Sequence, residues 1–243
     1  MLPMVFLEYR YQKSNSFKKR KMNKRLSVLL VTTLLIAIFI ACTKDDNTSK
    51  NLPIKDYTAF IKNKTWWGTV TNDGETAQYY TVYFNPDGSL VWSQLSGDYA
   101  GKWAVDKNKL TINFSSTTAI VTAEISDDNK LINIITSTPN KVNSGELVVN
   151  PNISLENTVW NGTRIYILTD PPKPLQFTFM PNSKVSIKVN NILYGAGIYD
   201  YTRSSSGGNF RIPGTNHFGV IVSGSEMKGS EFTANRLWQV VKQ

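Results

Sequence analysis

Apolar and polar residues alternate with a period of two over most of the chain after residue 62. Residues 80–84 and 109–114 show the pattern clearly, as expected for strands with one buried face. Polar turns separate these stretches. In the turn Asn85-Pro86-Asp87-Gly88, proline fixes φ and Asp-Gly tolerates the positive φ that follows. The pattern therefore predicts an all-β protein built from hairpins.

The stretches between turns predict about eight strands in each half of this region. In the first half they lie near residues 66–71, 78–84, 89–94, 99–105, 109–114, 118–125, 131–136 and 145–149. In the second half they lie near residues 158–168, 174–180, 183–190, 193–201, 208–212, 217–223, 226–233 and 236–242. An even number of hairpin-linked strands favours antiparallel up-and-down barrels, which close their own edges, and β-sandwiches are the alternative. One short helix is expected at residues 56–62.

The two halves repeat the same sequence landmarks in the same order. The aligned pairs are TWWGT at 65–69 with VWNGT at 159–163, FNPDGSL at 84–90 with FMPNSKV at 179–185, and AGKW at 100–103 with AGIY at 196–199. The nearly equal spacing of these landmarks indicates a tandem duplication. We therefore predict a first barrel domain at 61–150 and a second at 151–243, joined near Pro151.

The first 41 residues differ from the rest of the chain in charge and hydropathy. They contain eight Lys or Arg residues against one acid, Glu8, and residues 26–41 form an apolar run. A basic region, an apolar region and a small residue before a processing point are typical of a signal peptide. The alternative is an uncleaved membrane anchor, which would be short because a membrane span needs about 20 apolar residues. Met22 would make a good start, so residues 1–21 are interpreted as an upstream extension or a long basic region.

The only cysteine of the chain, Cys42, follows this apolar run directly. The stretch Phe39-Ile40-Ala41-Cys42 resembles the lipobox of bacterial lipoproteins, in which signal peptidase cuts before the cysteine and lipid is attached to it. The resemblance implies a signal peptide at 1–41 and a membrane anchor at Cys42. Residues 42–60 are then the lipidated cysteine and a flexible tether.

Three charged residues follow the cysteine closely. Lys44, Asp45 and Asp46 resemble the surface-export signal of Bacteroidota lipoproteins, and the alternative is an ordinary solvated tether. The resemblance implies an outer-membrane lipoprotein that faces either the cell surface or the periplasm.

The positive charge of the chain belongs mainly to this leader. The whole chain carries a net charge of +9, but without residues 1–41 it holds 19 basic and 17 acidic residues, a net charge of about +2. A mature protein so close to neutral lacks the basic surface that nucleic-acid binding needs. We therefore expect no nucleic-acid partner.

The layout of residues 62–243 resembles the small lipocalin-like domains that are common in lipoproteins of the same phylum. The shared features are a Trp-x-Gly opening at Trp66, the F-x-P-D-G hairpin at 84–88, a central G-x-W strand at Trp103 and a closing strand at Trp238. The resemblance implies tandem lipocalin-like barrels and a role in holding a ligand.

The side chains that most often carry catalysis are scarce. His217 is the only histidine, so His-based triads and Cys/His metal centres cannot be assembled. It stands beside Gly219 in a Gly-rich stretch, which predicts a surface loop. No Gly-rich phosphate-binding loop of the familiar spacings occurs. A hydrolase that uses two carboxylates is a further alternative, although most of the acids fall in predicted turns or at strand ends. We expect no enzymatic activity, no cofactor and no metal.

Aromatic residues are better candidates for a functional site, a ligand-binding one, although most of them should lie in the core. Trp66 and Trp67 are adjacent, so on a strand they face opposite sides and one of them is expected to be exposed. The candidate ligand-binding residues are Trp66, Trp67, Tyr80, Trp103 and Tyr199. These features favour a non-enzymatic protein that holds a small apolar or glycan ligand. The alternative is a structural protein that docks on another envelope component.

Replacing Cys42 by alanine tests the predicted lipid anchor. We expect the wild-type chain to incorporate labelled fatty acid in a bacterial host and to sediment with membranes. The Cys42→Ala chain should do neither, because the thiol that accepts the lipid is gone. A Cys42→Ala chain that remains labelled would contradict the prediction.

Overall fold

The computed structural model describes residues 55–72, 76–166, 171–231 and 236–243, except for the side chain of Tyr166. The predicted signal peptide at 1–41, Cys42, and the predicted export signal Lys44, Asp45 and Asp46 lie outside the described residues. Within the described ranges, no helix combines the length and the apolar character that a membrane span requires. Residues 55–243 form one compact unit.

The described residues of the first half form a short helix and nine strand segments. Helix α1 spans Tyr57–Ile61, and the Asp56 carboxylate caps it by accepting a hydrogen bond from the Ala59 N–H at 3.0 Å. The strands are β1 (Lys64–Thr71), β2 (Ala77–Phe84), β3 (Ser89–Gln94), β4 (Gly97–Asp106), β5 (Lys109–Phe114), β6 (Ile120–Ile125), β7 (Lys130–Thr136), β8 (Lys141–Val142) and β9 (Gly145–Leu147).

These strands close into a barrel around β1. Strand β1 pairs antiparallel with β2 on one side and with β8 and β9 on the other, and β9 also pairs with β7. Segments β8 and β9 are two pieces of the eighth strand, interrupted at Asn143 and Ser144. The predicted eight-stranded up-and-down barrel is therefore confirmed, and its closure excludes the sandwich alternative for this half.

The second half forms a nearly closed barrel of the same kind. Its strands are β10 (Thr158–Tyr166), β11 (Lys173–Met180), β12 (Lys184–Val189), β13 (Ile192–Asp200), β14 (Thr202–Arg203), β15 (Asn209–Ile212), β16 (His217–Ile221), β17 (Glu226–Glu231) and β18 (Arg236–Lys242). The sheet runs from β13, which pairs with β12, round to β14, which pairs with β15. Since only Tyr201 separates β13 from β14, one bent strand bridges the two ends of the sheet.

The repeated Trp-x-Gly landmark has a common structural cause in the two barrels. Trp66 on β1 and Trp160 on β10 are both fully buried. A Cβ atom on Gly68 would lie 1.9 Å from the Ser144 carbonyl oxygen, and one on Gly162 would lie 2.0 Å from that of Gln239. In each barrel, the closing strand therefore passes so near that only glycine fits two residues after the tryptophan.

Helix α1 covers one end of the first barrel. Ile61 is fully buried, and the Phe60 ring meets Trp66 edge-on with ring centres 6.1 Å apart. The Tyr57 hydroxyl donates to Asp127 Oδ1 at 3.0 Å, which ties the helix to the β6–β7 turn. This end of the barrel is therefore filled, and access to the interior is left to the opposite end.

Adding a methyl group at either repeated glycine should destabilise the fold. We expect Gly68→Ala and Gly162→Ala each to lower the free energy of unfolding by about 1–3 kcal/mol, because the backbone of the closing strand must shift to make room. Urea unfolding followed by tryptophan fluorescence measures the change. Gly224→Ala is the matched control, since its Cβ would meet only Ile153 Cγ2 at 4.0 Å. Equal stability of all three variants would contradict the prediction.

Candidate functional site

The first barrel holds a cavity of about 390 Å³ at the end opposite helix α1, and we call it the cup. Strands β1, β3, β4, β5, β6, β7 and β8 and the loops between them contribute to it. Its apolar and aromatic lining consists of Val70, Trp92, Tyr99, Phe114, Ala119, Val121 and Val142. Its polar lining consists of Asn72, Gln94, Ser96, Ser116, Thr117, Thr136, Thr138 and Asn140. None of these described lining residues carries a charge.

A pair of stacked rings separates the cup from the rest of the core. Tyr80 and Trp92 lie nearly parallel, with ring centres 3.8 Å apart and an angle of 11° between the planes. Phe114 meets Trp92 edge-on at 5.4 Å. The Tyr80 hydroxyl donates to the Ser144 carbonyl oxygen at 2.7 Å, and complete burial raises the pKa of Tyr80 well above its ordinary value. Tyr80 therefore stays neutral and supports Trp92 from the core side.

A chain of hydrogen bonds fixes the groups on one wall of the cup. The Trp92 indole N–H donates to Gln94 Oε1 at 3.0 Å, and the Gln94 amide donates to Ser96 Oγ at 2.8 Å. Ser96 Oγ and the Tyr99 hydroxyl lie 2.9 Å apart and share a further hydrogen bond. Each of the four side chains is thus held by a neighbour, which preorganises this wall.

The second barrel braces the same wall from outside. Nη2 of Arg211, on β15, lies 2.7 Å from the Gln94 carbonyl oxygen and 3.0 Å from that of Gly97. It also lies 2.8 Å from Asp98 Oδ1. These acceptors belong to the β3–β4 hairpin, which carries Gln94 and Tyr99 into the cup. This hairpin forms one edge of the cup, which we call its lip, and the shape of the lip therefore depends on both barrels.

The outer face of β1 packs against the second barrel. Trp67 forms a buried apolar cluster with Val148, Phe218 and Val220. The Lys228 ammonium lies 4.9 Å from the centre of the Trp67 ring, within the range of a cation–π contact. The two barrels therefore share a buried apolar contact at this face.

The equivalent end of the second barrel is filled by charged side chains. Arg164 lies four residues after Trp160, as Val70 lies four residues after Trp66. Its guanidinium binds the Glu231 carboxylate at 2.5–2.6 Å, and both side chains are almost completely buried. Val70 leaves space at this end of the first barrel, whereas Arg164 and Glu231 fill the equivalent space in the second.

Two further groups complete the pairing of this buried carboxylate. The Tyr194 hydroxyl and the Arg236 guanidinium each lie 3.0 Å from Glu231 Oε1. Burial raises the pKa of Tyr194, and the Glu231 charge adds to the effect. A buried carboxylate that meets two guanidinium groups is compensated in charge and in hydrogen bonds, so we interpret this cluster as a structural plug.

His217 does not lie in a surface loop, and that prediction is wrong. It stands at the start of β16 with only 2% of its surface exposed. Its Nδ1 lies 2.8 Å from Thr215 Oγ1, and its Nε2 lies 3.8 Å from Glu231 Oε2. Desolvation lowers the pKa of His217, while the Glu231 charge partly opposes the shift. Both faces of β16 are buried, because the first barrel covers the face that a lone barrel would expose to water.

The structure does not bring the five predicted ligand-binding aromatic residues together. Trp66 lies in the core, and Trp67 lies in the interface between the barrels. The Trp103 indole donates to the Asn85 carbonyl oxygen at 3.1 Å, at the end that α1 covers. In the second barrel, the Tyr199 hydroxyl accepts from the Ala196 N–H and donates to the Tyr194 carbonyl oxygen. Of the five, Tyr80 alone is close to the cup, through its stacking on Trp92.

The expectation that either Trp66 or Trp67 is exposed is wrong. Trp66 is fully buried and Trp67 is 8% exposed, since the outward face of β1 packs on the second barrel. The aromatic residues that do line the cup are Trp92, Tyr99 and Phe114. Trp92 and Tyr99 are cross-strand partners in the β3–β4 hairpin. This pairing across a short polar turn was the sequence signal that could have found them.

The chain has no match among protein-family models, curated proteins or solved structures. Within the described ranges, no group of three or more His, Cys, Asp or Glu side chains is placed to hold a metal ion. The functional proposal therefore rests on the geometry and chemistry of the cup.

The pH dependence of stability tests the burial of His217. Because its folded-state pKa is lowered below the ordinary 6.5, the unfolded chain binds a proton that the folded chain resists. The contribution of His217 to the free energy of unfolding should therefore be fully present above about pH 6.5. As the pH decreases below this value, the free energy of unfolding should decrease by at most about 1.4 kcal/mol per pH unit for one proton.

Urea unfolding of the wild type and His217→Gln between pH 7 and pH 5 measures this contribution. We expect a smaller loss of unfolding free energy in the variant, since glutamine carries no titrating proton. The glutamine side chain keeps a polar group near Glu231, Arg164 and Arg236. Identical pH slopes for the two proteins would show that His217 does not contribute.

Proposed function

We propose that this chain is an envelope-anchored lipoprotein that holds a small apolar or glycan ligand in the cup of its first barrel. The observation that carries the proposal is the contrast between the two barrels: one end is an open cup of about 390 Å³, and the equivalent end of its partner is filled. Small-molecule pockets commonly have volumes of about 300–1,000 Å³ and combine apolar walls with a few placed polar groups.

The lining of the cup supports binding rather than catalysis. General acid–base chemistry uses imidazole, carboxylate or amine groups with tuned pKa values. Among the described residues of the cup, no side chain of these kinds is present. The Tyr99 hydroxyl is engaged with Ser96. A role without a chemical step therefore fits the groups that a ligand would meet.

The membrane anchor belongs to the same proposal and is supported by the sequence. The basic and apolar leader, the lipobox-like residues before Cys42, and the charged Lys44, Asp45 and Asp46 after it all favour an outer-membrane lipoprotein. Attachment at Cys42 would hold the ligand-binding unit at the membrane surface through residues 43–54. The alternative role, docking on another envelope component, stays a prediction.

Filling the cup tests the proposed site directly. Ala119 lines the cup and is half-buried, so Ala119→Trp should occupy its volume. Mass spectrometry of aqueous and organic extracts should show a small molecule that co-purifies with the wild-type chain from its native host. We expect Ala119→Trp to lose at least about nine-tenths of that molecule, since a ring in the cup excludes it.

Ala104→Trp is the matched control because Ala104 lies exposed on β4, outside the cup. It should retain the molecule at the wild-type level. Extracts that are equally empty for all three proteins, or equally loaded, would overturn the assignment of the cup as the binding site.

A further inference from the structure

The described lining residues of the cup carry no charge, and this restricts the ligands that they can bind well. A ligand that carries a carboxylate, phosphate or ammonium group gives up water when it enters a cavity. It regains that free energy only from a partner of opposite charge or from several strong hydrogen bonds. The described lining residues offer no charged side chain. The lining therefore favours neutral molecules.

The cup is nevertheless rich in hydrogen-bonding groups. Amides such as Gln94 and hydroxyls such as Ser116 and Thr136 supply neutral donors and acceptors around it. Thr138 Oγ1 is buried and has no hydrogen-bond partner among the described residues. A purely apolar ligand would remove the exposed groups among them, such as Ser116, from water without replacing the lost hydrogen bonds, which costs binding free energy. A ligand with several hydroxyl groups would satisfy them.

Aromatic surface is available beside these polar groups. Tyr99 and Phe114 are half-buried and line the cup, so part of each ring is accessible. The hydrogen bond between Tyr99 and Ser96 holds the first ring, and the edge-on contact with Trp92 holds the second. Fixed aromatic rings next to neutral amides and hydroxyls match a sugar ring, which has an apolar C–H face and a polar edge.

The depth of the cup argues against a long acyl chain. The stacked Tyr80 and Trp92 rings block the way to the rest of the core, and the far end of the barrel is filled by Phe60 and Ile61. A volume of about 390 Å³ lies near the lower end of the usual range for ligand pockets. The ligand is therefore short.

We infer that the cup is a saccharide site that takes one or two uncharged sugar rings, with Tyr99 and Phe114 as the stacking surface and Thr138 as a hydroxyl partner. This inference rests on the proposed function and narrows its ligand class. In an envelope-anchored protein, such a site would bind the neutral ends of glycans.

Saturation-transfer NMR on the detergent-purified full chain tests the ligand class. The probes are maltose, cellobiose and N,N′-diacetylchitobiose as neutral sugars, glucuronic acid as an acidic sugar, and dodecanol as an apolar molecule. Ala119→Trp in the same detergent is the reference: its signal reports binding outside the cup and is subtracted from that of the wild type. We expect saturable binding of at least one neutral sugar that Ala119→Trp abolishes, and none of glucuronic acid or dodecanol.

The Thr138→Val variant tests the polar part of the site without changing its size. We expect it to weaken the binding of that sugar about five- to tenfold, the effect of one lost hydrogen bond. Thr122→Val is the matched control, since Thr122 lies on the outer side of β6 and outside the cup. It should bind like the wild type, and both variants should keep the wild-type melting temperature within a few degrees.

The outcomes separate this inference from the proposed function. If dodecanol binds in an Ala119-dependent manner and no sugar does, the cup is a ligand site but the saccharide inference is wrong. If glucuronic acid binds as tightly as the neutral sugars, the selection for neutral ligands is wrong. If no probe and no co-purifying molecule distinguishes the wild type from Ala119→Trp, both proposals fall.

Discussion

Both barrels depend on the close approach of two backbones at a glycine. A buried tryptophan on the first strand fills the interior, and two residues later the closing strand lies against Gly68 or Gly162 with no room for a side chain. This contact lets β1 hydrogen-bond on both edges, so that the sheet closes and leaves no open edge. The cup, the plug and the interface between the barrels are all built on strands that this closure fixes in register.

The two halves share this closure but differ in what occupies the end of the barrel. Val70 and Arg164 each lie four residues after the buried tryptophan of their barrel, Val70 in the lining of the cup and Arg164 in the plug. Valine leaves a cavity lined by neutral groups, whereas arginine needs a buried counter-charge and obtains it from Glu231. A difference centred on one repeated position thus accompanies a cavity at the end of one barrel and a buried ion pair at the equivalent end of the other.

The sequence predicted the strands and the two tandem barrels because their signals are local. Alternation reports which residues share a face, and Pro86 and Gly88 specify their turn through φ alone; Gly88 has a φ of +84°. The two-residue segments β8 and β14 escaped prediction because so short a run shows no period. The exposure of Trp67 and the environment of His217 were predicted wrongly for a different reason. Alternation shows that a strand has two faces, but whether the outer face meets water depends on the other barrel.

The hydrogen bonds that join the two barrels beside the cup limit how this chain can evolve by recombination. Arg211 of the second half binds carbonyl groups at Gln94 and Gly97 of the first, beside the apolar contact between Trp67 and Phe218. A recombination event that moved the first barrel alone into another gene would leave those carbonyls without Arg211 and expose the Trp67 ring to water. The two barrels are therefore not interchangeable as separate modules, because each covers surface and binds polar groups of the other.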